Sequence, residues 1–598
     1  MMTVPEGLLR EIEPLIEQIM AEWQVPALGL AVVRKLEPIL VEAFGLRDVE
    51  AGRPATTSTQ FAVCSVTKSF TAAGLAMLVD ERKLEWDKPV RTYMPEFRMH
   101  DPITTERLAI RDMLTHRSGL PRHDWVHMPG QLSRAQMLAA LAYLEPSRDF
   151  RAAYQYQNLI YSAAGMLAER ITGQSWEKFT RARLLEPLGM KDSAFSFADM
   201  QKAADFAWPY AMIEDDRRRA PLREIRAAPA GSITASIAAM ANYLRFHLDL
   251  GNFAGRRLLS AASARLMQSP LMYCGRSEHA EIGDLHYGLG FEVFHYDGER
   301  IVQHGGGAMG WGSLMTMVPR RGVGTVILTN RSPSPVPHIL AYTIIEKLCG
   351  LAQVPWLERM RKAKEAWRAQ REQNREARST ARKPGTAPSH PLADYVGSYE
   401  HPAYGRVSIE IDGDRLVWHG LDCVRALHHR HFDIFEFPDR DTEDVDSWLA
   451  ALTVSFAYDR EGNIDRLAVP LEPLVADIVF RRVPDGASFD RSLLEACAGT
   501  YRSGTLEHVV ALDADGQLTL SPAGQLSSPI AARHSRCRNS RDFASSSGAT
   551  RRGWSMPSSF ISRTAHSSPS ASRSRRRSAA RYRRPPPKFR CPRSCGGA

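Results

Sequence analysis

The chain has 598 residues, of which 44% are hydrophobic and 24% charged, and it carries a formal net charge of +10. That length allows several packed domains, and no stretch approaches the ~18 consecutive apolar residues of a membrane-spanning helix. Cys64, Cys274, Cys349, Cys423 and Cys497 lie far apart without metal-like spacing, so they read as reduced thiols of a cytoplasmic protein.

In chain order, Met1 to Leu8 lacks the basic and apolar regions of a signal peptide. Phe61-Ala62-Val63-Cys64 then reads as an extended approach to Ser65-Val66-Thr67-Lys68, and the apolar Phe70 to Leu78 continues as a buried helix. A serine needs a neighbouring base to become a nucleophile, and residues i and i+3 of a helix share a face, so Lys68 can point at Ser65. The helix N-terminus also aims backbone N–H groups at any oxyanion formed there. Alone, Ser-x-x-Lys is equally an N-capping serine with a solvated lysine, and Cys64 is a small packed residue before it is a reactive thiol. Next, Tyr156-Gln157-Asn158 places a phenol and an amide on a loop leading into an apolar helix that ends near Thr172-Gly173. Finally, His304-Gly305-Gly306-Gly307 follows the strand-like Arg300 to Gln303 and precedes an apolar run from Trp311 to Val318.

With these three motifs in this order, residues 8–350 resemble the serine β-lactamase and penicillin-binding-protein superfamily. More narrowly, the chain is similar to the class C-related branch of esterases, D-aminopeptidases and DD-carboxypeptidase relatives. Leu114-Thr115-His116-Arg117-Ser118-Gly119-Leu120, Pro229-Ala230-Gly231-Ser232-Ile233 and Tyr287-Gly288-Leu289-Gly290-Phe291 also resemble that family. The chemistry assigns Ser65 as the nucleophile of an acyl-enzyme, Lys68 or Tyr156 as the base, and Asn158 as the group that holds Lys68 or the substrate amide. A neutral His304, where a β-lactamase places lysine, could donate to Tyr156 or to substrate. The resemblance places the third-motif glycines Gly305 and Gly306 beside the site. The oxyanion donors are then the backbone N–H groups of Ser65 and Gly307. A competing reading of His-Gly-Gly-Gly as an α/β-hydrolase oxyanion loop fails, because no Gly-x-Ser-x-Gly elbow follows residue 307.

From Trp356 to Arg382 the composition favours an exposed helix, a spacer rather than a nucleic-acid-binding element, and Lys383-Pro384-Gly385 breaks it. Beyond it, Leu392 to Tyr399 recurs as Leu494 to Tyr501, a register of 102 residues, and each copy leads into alternating strands around Asp-Gly turns. About a hundred residues of such hairpins make one small up-and-down barrel. The first unit resembles the lipocalin-like barrels attached to serine peptidases of this family, and its His428, His429 and His431 read as surface residues rather than metal ligands. The alternation stops after Gln525. The last 73 residues hold 16 Arg, one Lys and one Asp, a net +16 that leaves everything before them at −6. This tail is either a basic arm or an out-of-frame translation of a GC-rich gene. The interruption in mid-repeat favours the latter, since it leaves open strand edges, and disorder is expected from about 526.

The expected fold is α+β: a β-lactamase-like antiparallel sheet with helices on one side, a helical lobe, a small antiparallel barrel and an incomplete second one. The expected divisions are 8–352 (hydrolase), 353–388 (linker), 389–485 (barrel), 490–525 (truncated repeat) and 526–598 (tail). The expected function is hydrolysis of small esters or D-amino-acid amides and peptides, with no cofactor, metal, nucleic acid or membrane partner. DD-peptidase or β-lactamase action, or non-catalytic peptide sensing on the same fold, are the alternatives.

Overall fold

The computed structural model describes residues 6–128, 132–213, 216–438 and 452–483, followed by 495, 498–503, 506–512, 518–522 and 528–529. One compact unit reaches Val483 and a second begins at Pro484.

The first unit is built on a nine-stranded antiparallel sheet. Its strands are β1 (Ala27–Arg34), β2 (Glu37–Asp48), β3 (Arg53–Pro54), β4 (Met272–Arg276), β5 (Asp284–Tyr287), β6 (Glu292–Tyr296), β7 (Glu299–Ala308), β8 (Trp311–Val318) and β9 (Val323–Thr329). The order across the sheet is β4-β5-β6-β7-β8-β9-β1-β2-β3, so the N-terminal hairpin completes a sheet otherwise made late in the sequence. β1, β8 and β9 are buried almost throughout, which their continuous apolar runs require of strands covered on both faces.

Helices lie on one side of the sheet and a helical lobe on the other, as expected from sequence. On one side, α1 (Glu6–Glu22) sets Ile12, Ile16 and Ile19 against Leu28, Leu30 and Ile327, joined by Ile339, Leu340 and Ile344 of a later helix, Val336–Cys349. The spacing of α1's apolar residues marks one helical face, and its burial fixes the sheet's outer surface. On the other side lies the helical lobe. Its centre is α2 (Thr67–Asp80), whose residues from Thr67 to Leu78 are all buried, as expected of a helix apolar on every side. Beside it stands α3 (Asn158–Thr172), capped at its N-terminus by the Gln157 side chain.

Trp356–Thr380 is a 25-residue helix that buries only Trp356, matching its charged composition. Eight strands from Gly397–His401 to Ile478–Val483 then pair sequentially and close, last on first, into an up-and-down barrel. Closure leaves it no free edge.

In the second unit, Gly499–Ser503, Leu506–Leu512, Leu518–Pro522 and Ser528–Pro529 form a four-stranded antiparallel sheet. Its first strand begins 102 residues after Gly397, the register read from sequence. Pairing persists to Pro529, beyond the Gln525 where the alternation stops. The rest of the expected tail, 530–598, lies outside the described residues. Among the described residues no helix is long and apolar enough to cross a membrane.

Candidate active site

The candidate nucleophile sits on a sharp turn. Cys64–Val66 forms one turn of 3-10 helix that runs directly into α2. Cys64 adopts a left-handed backbone (φ 46°), uncommon for a residue with a Cβ and a frequent mark of functional sites. The turn sends the Cys64 thiol inward, where burial pushes its pKa up to about 12. Ser65 alone between Gln60 and Leu78 keeps some exposure.

Lys68, one helical turn on, is fully buried. Its Nζ lies 3.2 Å from Ser65 Oγ, 2.7 Å from Asn158 Oδ1 and 2.8 Å from the Ala230 carbonyl oxygen. Burial, helped by the nearby Arg122 cation, holds its pKa well below the ordinary lysine value, with Asp124 pulling the other way. A neutral amine here donates its two hydrogens to Asn158 and Ala230 and turns its lone pair toward the Ser65 hydroxyl.

The second motif meets these groups from the start of α3. The Tyr156 ring lies 4.6 Å from Lys68 Nζ. Burial raises its phenol, while a hydrogen bond with Ser65 and the Arg122 charge act in the opposite direction. Asn158 accepts from Lys68 and donates through Nδ2 to Asp124 Oδ1 at 3.2 Å. The Ala230 carbonyl is brought in by close packing: a Cβ on Gly165 of α3 would stand 2.2 Å from Pro229 Cγ.

The third motif lies on β7. A Cβ on Gly306 would stand 2.7 Å from the Ser65 backbone nitrogen and 2.8 Å from Cys64 Cβ, so this strand runs directly against the nucleophile turn. Gly307 is partly exposed and sits opposite Gly312 of β8, while Gly305 faces Leu314. His304 is buried, and burial together with Lys68 lowers its pKa to about 3. Its Nδ1–H donates to the Gly305 carbonyl at 2.6 Å, which leaves Nε2 to accept from the Tyr287 hydroxyl at 2.8 Å. Both nitrogens are thus committed, and the donation to Tyr156 considered from sequence has no N–H to make it.

Sequence reasoning passed over a further set of groups, all buried but Arg122. Asp124 accepts from Arg122 Nε, from His127 Nε2 at 2.9 Å and from Asn158. Arg122 stacks 5.2 Å from the Tyr156 ring, so a permanent cation absent from the third motif stands on this loop. His116 accepts the Gln157 N–H at Nδ1 and packs its ring 4.4 Å from Tyr156 and 4.7 Å from Tyr287. The signal for the loop was present: Arg122-His123-Asp124-Trp125-Val126-His127 packs four ionisable side chains into six residues.

A family model described as "Beta-lactamase" matches residues 12–349, more than half of the chain. The chain belongs to the beta-lactamase family. This family assignment, with its hydrolase and penicillin-binding relatives, makes it a serine hydrolase-type protein, and a second model, "Domain of unknown function (DUF3471)", matches residues 381–482 over the barrel. Among curated relatives, the unguisins hydrolase ungD' of Aspergillus campestris is 26% identical over 80% of this chain and 88% of its own length. Penicillin-binding protein 4 of Amycolatopsis lactamdurans is 28% identical over 52% of this chain and 83% of its own. The octameric penicillin-binding protein homologue from Pyrococcus abyssi superposes with a TM-score of 0.52 at 21% identity, covering 79% of this chain and all of that one, which shows a shared fold.

Proposed function

We propose that this beta-lactamase family member hydrolyses small esters or D-amino-acid amides and peptides through a Ser65 acyl-enzyme. The observation that carries the reading is Lys68: an amine with depressed pKa, 3.2 Å from Ser65 Oγ, whose other two partners both accept. Lys68 takes the Ser65 proton as Oγ attacks the substrate carbonyl carbon. The backbone N–H groups of Ser65 and Gly307 stabilise the oxyanion, each typically worth about 3–4 kcal/mol of barrier. Tyr156, kept protonated, hands its hydrogen to the leaving group and recovers one from Lys68. Water then attacks the acyl carbon, losing its proton along the same path, and Ser65 is released with its hydrogen restored.

Neutral, committed His304 supports esters and amides over β-lactams, whose carboxylate would meet an uncharged imidazole rather than a cation at this position. Arg122 gives the DD-peptidase or β-lactamase alternative its own support, because it places a cation beside Tyr156 from another direction. The scattered cysteines, read as reduced thiols, support a cytoplasmic location in this reading. The test is hydrolysis of a p-nitrophenyl ester, a D-alanine p-nitroanilide and a chromogenic cephalosporin by wild type and Ser65→Ala. We expect the variant to lose turnover of the ester or anilide. Equal activity in both proteins, or a preference for the cephalosporin, overturns the mechanism or the substrate class respectively.

A further inference from the structure

His123 stands next to Asp124 in a left-handed backbone (φ 45°), a conformation that costs free energy unless its surroundings hold it. It is completely buried and bonded on three sides. Its ring Nε2–H donates to the Glu145 carbonyl at 3.1 Å, so Nδ1 accepts, and the hydroxyl that donates to it at 2.7 Å belongs to Tyr404. Its backbone N–H donates to Glu472 Oε2 at 2.8 Å. Tyr404 and Glu472 are barrel residues, 5% and 4% exposed. Tyr404 is on the turn after the first barrel strand and Glu472 on the loop before the last, so the pairing puts both at one end of the barrel.

Each barrel group is itself fixed. The His401 ring accepts the Ala403 N–H at 3.0 Å and that of Tyr404 at 3.3 Å, setting the turn. Glu472 Oε1 accepts from the Leu474 N–H at 3.2 Å, setting the loop. On its other side the 121–127 loop is tied to the second motif, because Gln157 Nε2 donates to the Pro121 carbonyl at 2.6 Å and to that of Arg122 at 3.1 Å. An unbroken path therefore runs from barrel to nucleophile: Tyr404 and Glu472 to His123, the adjoining Asp124 to Asn158, Asn158 to Lys68, Lys68 to Ser65.

We propose that Tyr404 and Glu472 are positioning residues of the hydrolase site, clamping His123 so that Asp124 holds Asn158 and Lys68 in line with Ser65. This rests on the Ser65 reading above. A clamp that sets proton-transfer geometry changes turnover more than substrate binding, whereas a merely adhesive contact changes stability alone.

The test uses the full chain and the best substrate of the panel. Tyr404→Phe removes the hydroxyl and keeps the ring, and Glu472→Ala strips two backbone N–H groups of their acceptor. Glu472→Gln restores an acceptor of the same length. We expect kcat to fall about tenfold in Tyr404→Phe and Glu472→Ala with KM within about twofold, the scale a lost buried hydrogen bond supports. Glu472→Gln should recover most of the loss, and Tyr404→Phe should stay fully folded at the assay temperature, its unfolding temperature lowered by only a few degrees. Wild-type kcat in a folded Tyr404→Phe protein overturns the proposal, as does a loss matched in KM or accounted for by unfolding. If Glu472→Ala does not fold, Tyr404→Phe decides by itself. A Ser65→Ala protein as active as wild type would instead overturn the site reading, a result separable from a barrel variant that turns over normally.

Discussion

Lys68 Nζ lies among three oxygens, and which hydrogens it carries decides what it does. Arg122 is one of the causes that keep it neutral, so Arg122→Gln should raise the Lys68 pKa. A base with a higher pKa is protonated, and so unavailable, over more of the acid range. The acid limb of the kcat/KM profile should therefore move to higher pH, and an unmoved or lowered limb would show that Arg122 does not tune the base. Ser65, Lys68, Tyr156, Asn158 and His304 were legible in the sequence because each lies in a short contiguous motif whose local spacing carries the chemistry. Arg122, Asp124 and His127 were not, since they lie on a loop without periodicity and acquire meaning only when Asn158 arrives against them. The bonding of His304 was equally hidden, because it is set by Tyr287 across the sheet.

At the scale of elements, the site depends on how closely β7 lies against the turn that heads α2. Gly306→Ala would place a methyl carbon 2.7 Å from the Ser65 nitrogen, where backbone rather than a flexible side chain must yield. We expect a loss of about 1–3 kcal/mol in stability, the usual cost of overpacking, together with loss of acylation. Thermal unfolding and active-site titration check both, and a variant with wild-type acylation would show that strand and turn separate without consequence. The same distinction explains what the sequence told of the elements. α2 and the Trp356–Thr380 helix announce themselves by composition, one mostly apolar and one rich in charge. The helix layer of α1 and Val336–Cys349 was expected as a class, but its partners were not, because its apolar face meets the sheet only once β1 and β9 are paired.

Across the whole molecule, charge is unevenly divided: the chain to residue 525 has a formal net −6 and the remainder +16. Truncation after Pro529 should therefore convert a protein retained by a cation exchanger at pH 7 into one retained by an anion exchanger, with the same rate of ester or anilide hydrolysis. A fall in that rate would tie the basic segment to catalysis, and retention of salt-dependent DNA binding by the truncated protein would place any such binding elsewhere. The barrel's place in the chain was readable from its hairpins and its 102-residue recurrence, but its contact with His123 joins residues 281 and 349 positions apart and leaves no local trace. That contact bears on how such chains can be recombined. Two loops at one end of the barrel meet a single histidine, so a barrel exchanged between relatives by cutting in the Trp356–Thr380 helix will suit its new host only if both loops travel with it and find the same histidine waiting. On the positioning role proposed for Tyr404 and Glu472, changes at His123 and at these two barrel residues should be tolerated only in matching combinations.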